Sequence, residues 1–104
     1  MSSSELSVVF YYVYLLHSAS SKRFYVGFTH DLKKRFVEHN RGLSPATKPY
    51  RPWELLYYEA HRHENDARRR ETYLKTTAGD RALHKMLREQ LVDLQGSGQQ
   101  KVYY

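Results

Sequence analysis

Cysteine is absent from all 104 residues, which removes disulfide scaffolds, thiolate zinc sites and cysteine nucleophiles together. Long apolar runs are missing too. The stretch from Val8 to Leu16 falls far short of the ~20 residues that a membrane-spanning helix needs. Met1 to Ser7 carries no basic segment of the kind that opens a secretory leader, so a soluble, cytoplasmic protein is expected. Proline is scarce, and its three copies all lie between Pro45 and Pro52, which concentrates the breaks in regular structure in one irregular loop from Asn40 to Pro52. No internal repeat is visible, and the length leaves room for one domain only.

Basic residues are plentiful by contrast. Lysine and arginine number 17 against 11 acidic residues, a net charge of +6, and they run through most of the chain instead of gathering in a tail. Such a surface suits a polyanion, although an excess of this size also serves plain solubility.

Val8 to Leu16 is rich in β-branched and aromatic residues and apolar on both alternating faces, as expected of a central strand covered on both sides. The polar run His17 to Arg23 reads as a turn into a second strand, Phe24 to Phe28, with Tyr25 and Gly27 on one face. Thr29 or Asp31 can cap a helix that reaches Asn40, and Gly42 stands where a left-handed C-cap belongs. Trp53 to Ala60 forms a third strand. A helix is expected from Asn65 to Thr77 with Ala67, Leu74 and Ala78 on one stripe, and a last one presenting Leu83, Met86, Leu87, Leu91 and Leu94. The fold class is therefore α+β: a small three-stranded antiparallel sheet flanked by helices, in the order β-β-α-β-α-α. Residues 1–7 are expected to be disordered, 8–94 to form the domain, and 95–104 to be a flexible tail in which Val102 to Tyr104 could add a strand.

Three polar features sit where apolar side chains would be ordinary. Glu71 lies four residues after Ala67 and three before Leu74, on a core stripe where a carboxylate needs a cation, hydrogen bonds or a metal ion. A salt bridge to Arg35 or to one of Arg68, Arg69 and Arg70 would satisfy it as well as a metal would. Leu32, Arg35, Phe36 and His39 share one helical stripe. Arginine grips phosphate in bidentate fashion and histidine passes protons near neutral pH, yet both could simply pack their stems and hydrate their heads. Among ten tyrosines, most of them ordinary sheet residues, Tyr14 and Tyr25 fall on adjacent strands. Gly27 leaves their face bare for the close approach of a ligand or another element. His61, His63 and Glu64 form a weaker alternative, a transition-metal site lacking clear further ligands.

Taken in order, Tyr12-Val-Tyr14, Tyr25-Val-Gly27, Arg35, His39 and the distal Glu71 resemble the GIY-YIG nuclease domain. Pro52-Trp53-x-Leu-x-Tyr57 and Ala67-x-x-Arg-Glu71-x-x-Leu-Lys75 look like its small stand-alone YhbQ-like branch, over roughly Phe10 to Leu87. The resemblance implies a metal-dependent endonuclease that hydrolyses DNA phosphodiesters, with a role in DNA repair or recombination. It implies a single Mg²⁺ or Mn²⁺ on Glu71 and catalytic roles for Tyr14, Tyr25, Arg35, His39 and Glu71. A free phenol is only ~0.1% ionised at pH 7, so Tyr25 as a base toward water needs a cation beside it. Arg35 would take the charge growing on phosphoryl oxygens, Tyr14 would orient the phosphate or the water, and His39 would hydrogen-bond Tyr25 or relay a proton. Tyr12 stands where the family motif has glycine. Phe28-Thr-His30 stands where many relatives carry a lysine, for which His30, Lys33 or Lys34 would substitute. Lys34, Arg41, Lys48, Arg51 and Arg68 are the residues expected to meet the nucleic-acid backbone. The alternative is a nucleic-acid-binding module of the same fold that cleaves nothing and stacks bases on Tyr50 or Trp53.

Overall fold

A computed structural model describes residues 8–95; the segments 1–7 and 96–104, with the expected disorder, tail and added strand, lie outside the described residues. The sheet consists of β1 (Tyr11–Ser18), β2 (Arg23–Thr29) and β3 (Trp53–His61), all antiparallel, in the spatial order β2-β1-β3. The helices are α1 (Leu32–Asn40), α2 (Glu64–Leu74), α3 (Thr77–Met86) and α4 (Arg88–Gln95), and a 3₁₀ turn, Lys48–Tyr50, interrupts the proline-containing loop.

The apolar run reads as expected for a central strand, since Val13 to Leu16 are buried between two layers. On one face Val13, Leu15, Phe24 and Val26 pack against Ala67 and Leu74 of α2, Leu83 of α3 and Leu91 of α4. On the other, Tyr14, Leu16 and Trp53 pack against Leu32 and Phe36 of α1. Strand period and helix period thus meet in a three-layer arrangement, with α1 alone on one side. Strand β1 begins only at Tyr11, and Val8 and Val9 are exposed.

Asp31 caps α1 by accepting the Lys34 N–H, and Gly42 just beyond it takes φ +77°, the left-handed geometry that glycine adopts without steric cost. Two helical boundaries differ from the periodicity. Helix α2 stops at Leu74, because Thr76 turns the chain and caps α3 through the Gly79 N–H at 3.1 Å. Gly79 lies against the Tyr73 carbonyl and the Leu74 backbone, where a side chain would collide. Ala78 is consequently an exposed first-turn residue of α3 and leaves the Ala67–Leu74 stripe. The final helical stretch is split at Leu87, which puts Met86 at the end of α3 and exposes it.

Candidate active site

The register of β1 and β2 sets Tyr14 opposite Gly27 and Leu16 opposite Tyr25. Gly27 is needed there, because a β-carbon on it would fall within the ring and hydroxyl of Tyr14. The close approach anticipated at this glycine is therefore made by the neighbouring phenol, whose ring lies against Gly27. Tyr14 is 2% exposed, and its ring centroid is 6.5 Å from that of Tyr25.

Helix α1 adds Arg35 and His39 from its inward stripe. His39 is fully buried and bonded at both nitrogens: Nε2 to the Tyr14 hydroxyl at 2.8 Å and Nδ1 to Thr47 Oγ1 at 2.7 Å. Its hydrogen bond goes to Tyr14 and not to Tyr25, toward which it turns a ring edge at 5.2 Å. The Thr47 hydroxyl donates to the Ser44 carbonyl at 3.4 Å, so it accepts from Nδ1–H and leaves Nε2 free to accept the Tyr14 proton. Burial first, and the Arg35 charge second, push the His39 pKa down to about 4. A histidine so held orients Tyr14 as a neutral acceptor, and no solvated relay is built around it.

This neutrality has a consequence for stability. The folded-state value of about 4 lies below the ordinary 6.5, so the stabilisation is complete above pH 6.5 and is lost as the pH falls through 4. At 1.36 kcal/mol per pH unit the loss between pH 7 and 4 is roughly 3 kcal/mol. Urea unfolding at the two pH values should show wild type losing about that much more stability than His39→Gln. An equal loss in the two proteins would remove His39 as the cause.

Arg35 is half-buried, donating to Glu38 at 3.1 Å and to Ser44 Oγ at 3.4 Å. Burial works against its charge, but the bond to Glu38 and the interaction with Tyr14 outweigh it and hold its pKa above the usual arginine value. Tyr14 is raised well above an ordinary phenol, by burial first and then by the charge of Tyr25, with Arg35 opposing and Glu71 adding to the rise. Tyr14 therefore stays protonated, as a hydrogen-bonding group.

Glu71 comes from α2, its side chain 21% exposed, and pairs with Lys75 Nζ at 2.9 Å. The expected bridge to Arg35 or to the arginine run does not form: Arg35 pairs with Glu38, Arg68 with Glu64, Arg69 with Asp66 and Arg70 with Glu59. Lys75 also stands 5.9 Å from the Tyr25 ring. The cation beside Tyr25 is thus the C-cap residue of α2, whereas His30 and Lys34 line a hollow of about 410 Å³ with Arg35. Glu71 would offer a divalent ion one carboxylate once the Lys75 ammonium released it, and one carboxylate is a sufficient protein donor for an ion such as Mg²⁺ that keeps most of its waters.

Of the other expected residues, Lys34 borders the Arg35 hollow, and Arg68 stacks 4.3 Å over Phe28, which lines the same hollow. Arg41, Lys48 and Arg51 are exposed at the opposite end of α1. Trp53 is no stacking platform: it is 5% exposed, and its indole N–H donates to the Thr47 carbonyl at 2.9 Å. Tyr50 is covered by the Arg23 guanidinium at 4.2 Å. His63 caps α2 and His61 turns toward Glu59. Among the described residues no three His, Asp or Glu side chains gather as a metal site, so the transition-metal alternative has no further ligands. Sequence reasoning missed Ser44, Thr47 and Glu38. Thr47 and Ser44 are buried polar loop residues, a pattern visible only once the loop is folded under α1.

The model of the GIY-YIG catalytic domain matches residues 10–84. UPF0213 proteins are similar over shorter stretches. One from Streptococcus pyogenes is 49% identical over 49 residues, 46% of this chain and 52% of the relative. One from Bacillus pumilus is 37% identical over 67 residues, 64% of this chain and 67% of the relative. One from Staphylococcus saprophyticus is 31% identical over 74 residues, 70% of this chain and 89% of the relative. The chain spans about half the length of the streptococcal relatives it matches. No solved structure gives a significant match. No helix among the described residues is long and apolar enough to cross a membrane.

Proposed function

The chain belongs to the GIY-YIG catalytic-domain family, whose fold is of nuclease type, and from that premise we propose that it is a divalent-metal-dependent endonuclease hydrolysing DNA phosphodiester bonds. The observation that carries the reading is geometric convergence: the Tyr14 and Tyr25 rings lie 6.5 Å apart, His39 bonds the Tyr14 hydroxyl at 2.8 Å, and Lys75, which holds Glu71 at 2.9 Å, stands 5.9 Å from the Tyr25 ring, although Tyr14, Tyr25, His39 and Glu71 come from β1, β2, α1 and α2.

The scissile phosphate sits at the Arg35 hollow, where the guanidinium faces the non-bridging oxygens and stabilises the charge they gain in the transition state. Tyr25, less buried than Tyr14 and beside Lys75, acts as a phenolate and takes the proton of the attacking water. The water oxygen then bonds to phosphorus, the bond to the leaving deoxyribose oxygen breaks as that oxygen takes a proton from solvent, and the abstracted proton passes from Tyr25 back to solvent. Tyr14, fixed by His39 and Thr47, orients the phosphate or the water. Glu71 would hold a Mg²⁺ or Mn²⁺ ion, whose chemistry is polarisation of the phosphoryl oxygen and stabilisation of the leaving oxygen. Such an activity fits work in DNA repair or recombination in the cytoplasm.

Supercoiled plasmid incubated with the purified protein tests this. Nicking is expected with Mg²⁺ or Mn²⁺ and none in EDTA. Equal nicking in EDTA, or none with either metal, would overturn the assignment.

A further inference from the structure

Beside the first half of α1 lies a second depression of about 500 Å³, between α1 and β3, with Tyr12, Tyr58, Leu55 and Phe36 among its walls. Its volume falls within the ~300–1,000 Å³ typical of small-ligand sites. Tyr58 is 51% exposed and meets Tyr12 edge-on, centroids 5.9 Å apart at 63°. A large aromatic surface is left open to water, bounded by apolar side chains.

We propose that this pocket binds an unpaired nucleobase of the substrate strand, whose backbone runs around the N-terminus of α1 to the phosphate at Arg35. Three observations support it. The Tyr58 pocket and the Arg35 hollow share His30 and Asp31 as lining residues, so the two form one groove bent around the start of α1. Lysines flank the groove in series, Lys34 in the hollow and Lys33 in the pocket, and among the described residues neither is held in an ion pair. The one acid at the bend, Asp31, already accepts the Lys34 N–H at 3.1 Å as the helix cap. A duplex, stiff over ~150 base pairs, cannot follow a path around a helix end; a single strand can, with its phosphates on the lysines and a base on the ring. The inference rests on the nuclease reading only for the place of the scissile phosphate.

The test uses full-length protein carrying Glu71→Gln, so that nothing is cut, and a single-stranded oligonucleotide containing 2-aminopurine. Anisotropy and fluorescence quenching report binding and stacking. Tyr58→Ala should weaken binding of the single strand about tenfold, from the usual stacking contribution, and abolish the quenching. Tyr58→Phe, which keeps the ring, should retain both, and a blunt duplex of the same sequence should bind Tyr58→Ala and its parent alike. Circular dichroism checks that each variant is folded. Undiminished binding and quenching in Tyr58→Ala, or an equal loss on the duplex, would overturn the pocket. Failure of the wild type to nick DNA, with stacking intact, would count against the nuclease reading and leave the pocket standing.

Discussion

Glu71→Gln should abolish plasmid nicking, by ~10³-fold or more, and leave the protein folded. The size follows from what the carboxylate would hold: a bound divalent ion contributes several kcal/mol to a phosphoryl-transfer transition state, and each 1.36 kcal/mol is tenfold in rate. Stability should hardly move. The side chain is partly exposed at 21% and its partner Lys75 at 49%, and surface pairs of this kind are worth about 0–1 kcal/mol. Glutamine keeps the shape and removes only the charge. Thermal unfolding of the two proteins should therefore nearly coincide while their nicking separates. Equal nicking by variant and wild type, purified in parallel, would identify a contaminating nuclease.

Gly27→Ala should damage both stability and activity. The added carbon falls within the Tyr14 ring and hydroxyl, and Tyr14 has little freedom to withdraw, being 2% exposed and bonded to a fully buried His39 at 2.8 Å. Overpacking of this kind costs about 1–3 kcal/mol. If Tyr14 moves, the cluster loses its alignment, and a displacement near 1 Å is enough for ~10²-fold in rate. A lowered urea midpoint together with weak nicking is the expected pair of results. Wild-type values for both would mean that the phenol does not rest on this glycine.

How much of this was legible beforehand differs by element. Strands β1 to β3 could be read because apolar alternation and β-branched residues coincide with turn residues at their ends. The two-sided burial of Val13 to Leu16 follows from a run that is apolar on both faces. The stripe of Arg35 and His39 was visible as polar residues at core spacing, and so was Glu71. Their partners were not. His39 bonds Tyr14 and Thr47 because the irregular loop folds beneath α1, and a loop has no period from which its contacts can be read. Glu71 pairs with Lys75 one turn on, since each of the three arginines before it is taken by a nearer acid. Trp53, which looked free to stack, faces inward because the β1–β3 pairing, shifted in register after Leu15, sets it opposite the buried Ser18. The end of α2 at Leu74 and the exposed Ala78 came from capping by Thr76 and the close approach of Gly79, local effects that override hydrophobic spacing.

The central claim is that a divalent ion belongs on Glu71, whose present partner Lys75 stands 5.9 Å from the Tyr25 ring. Crystals soaked in Mn²⁺ and measured for anomalous scattering test it most directly. One peak is expected within about 2.2 Å of a Glu71 carboxylate oxygen, with the Lys75 ammonium displaced from its present partner. A peak elsewhere, such as at His61 and His63, with Glu71 still bonded to Lys75, would contradict it.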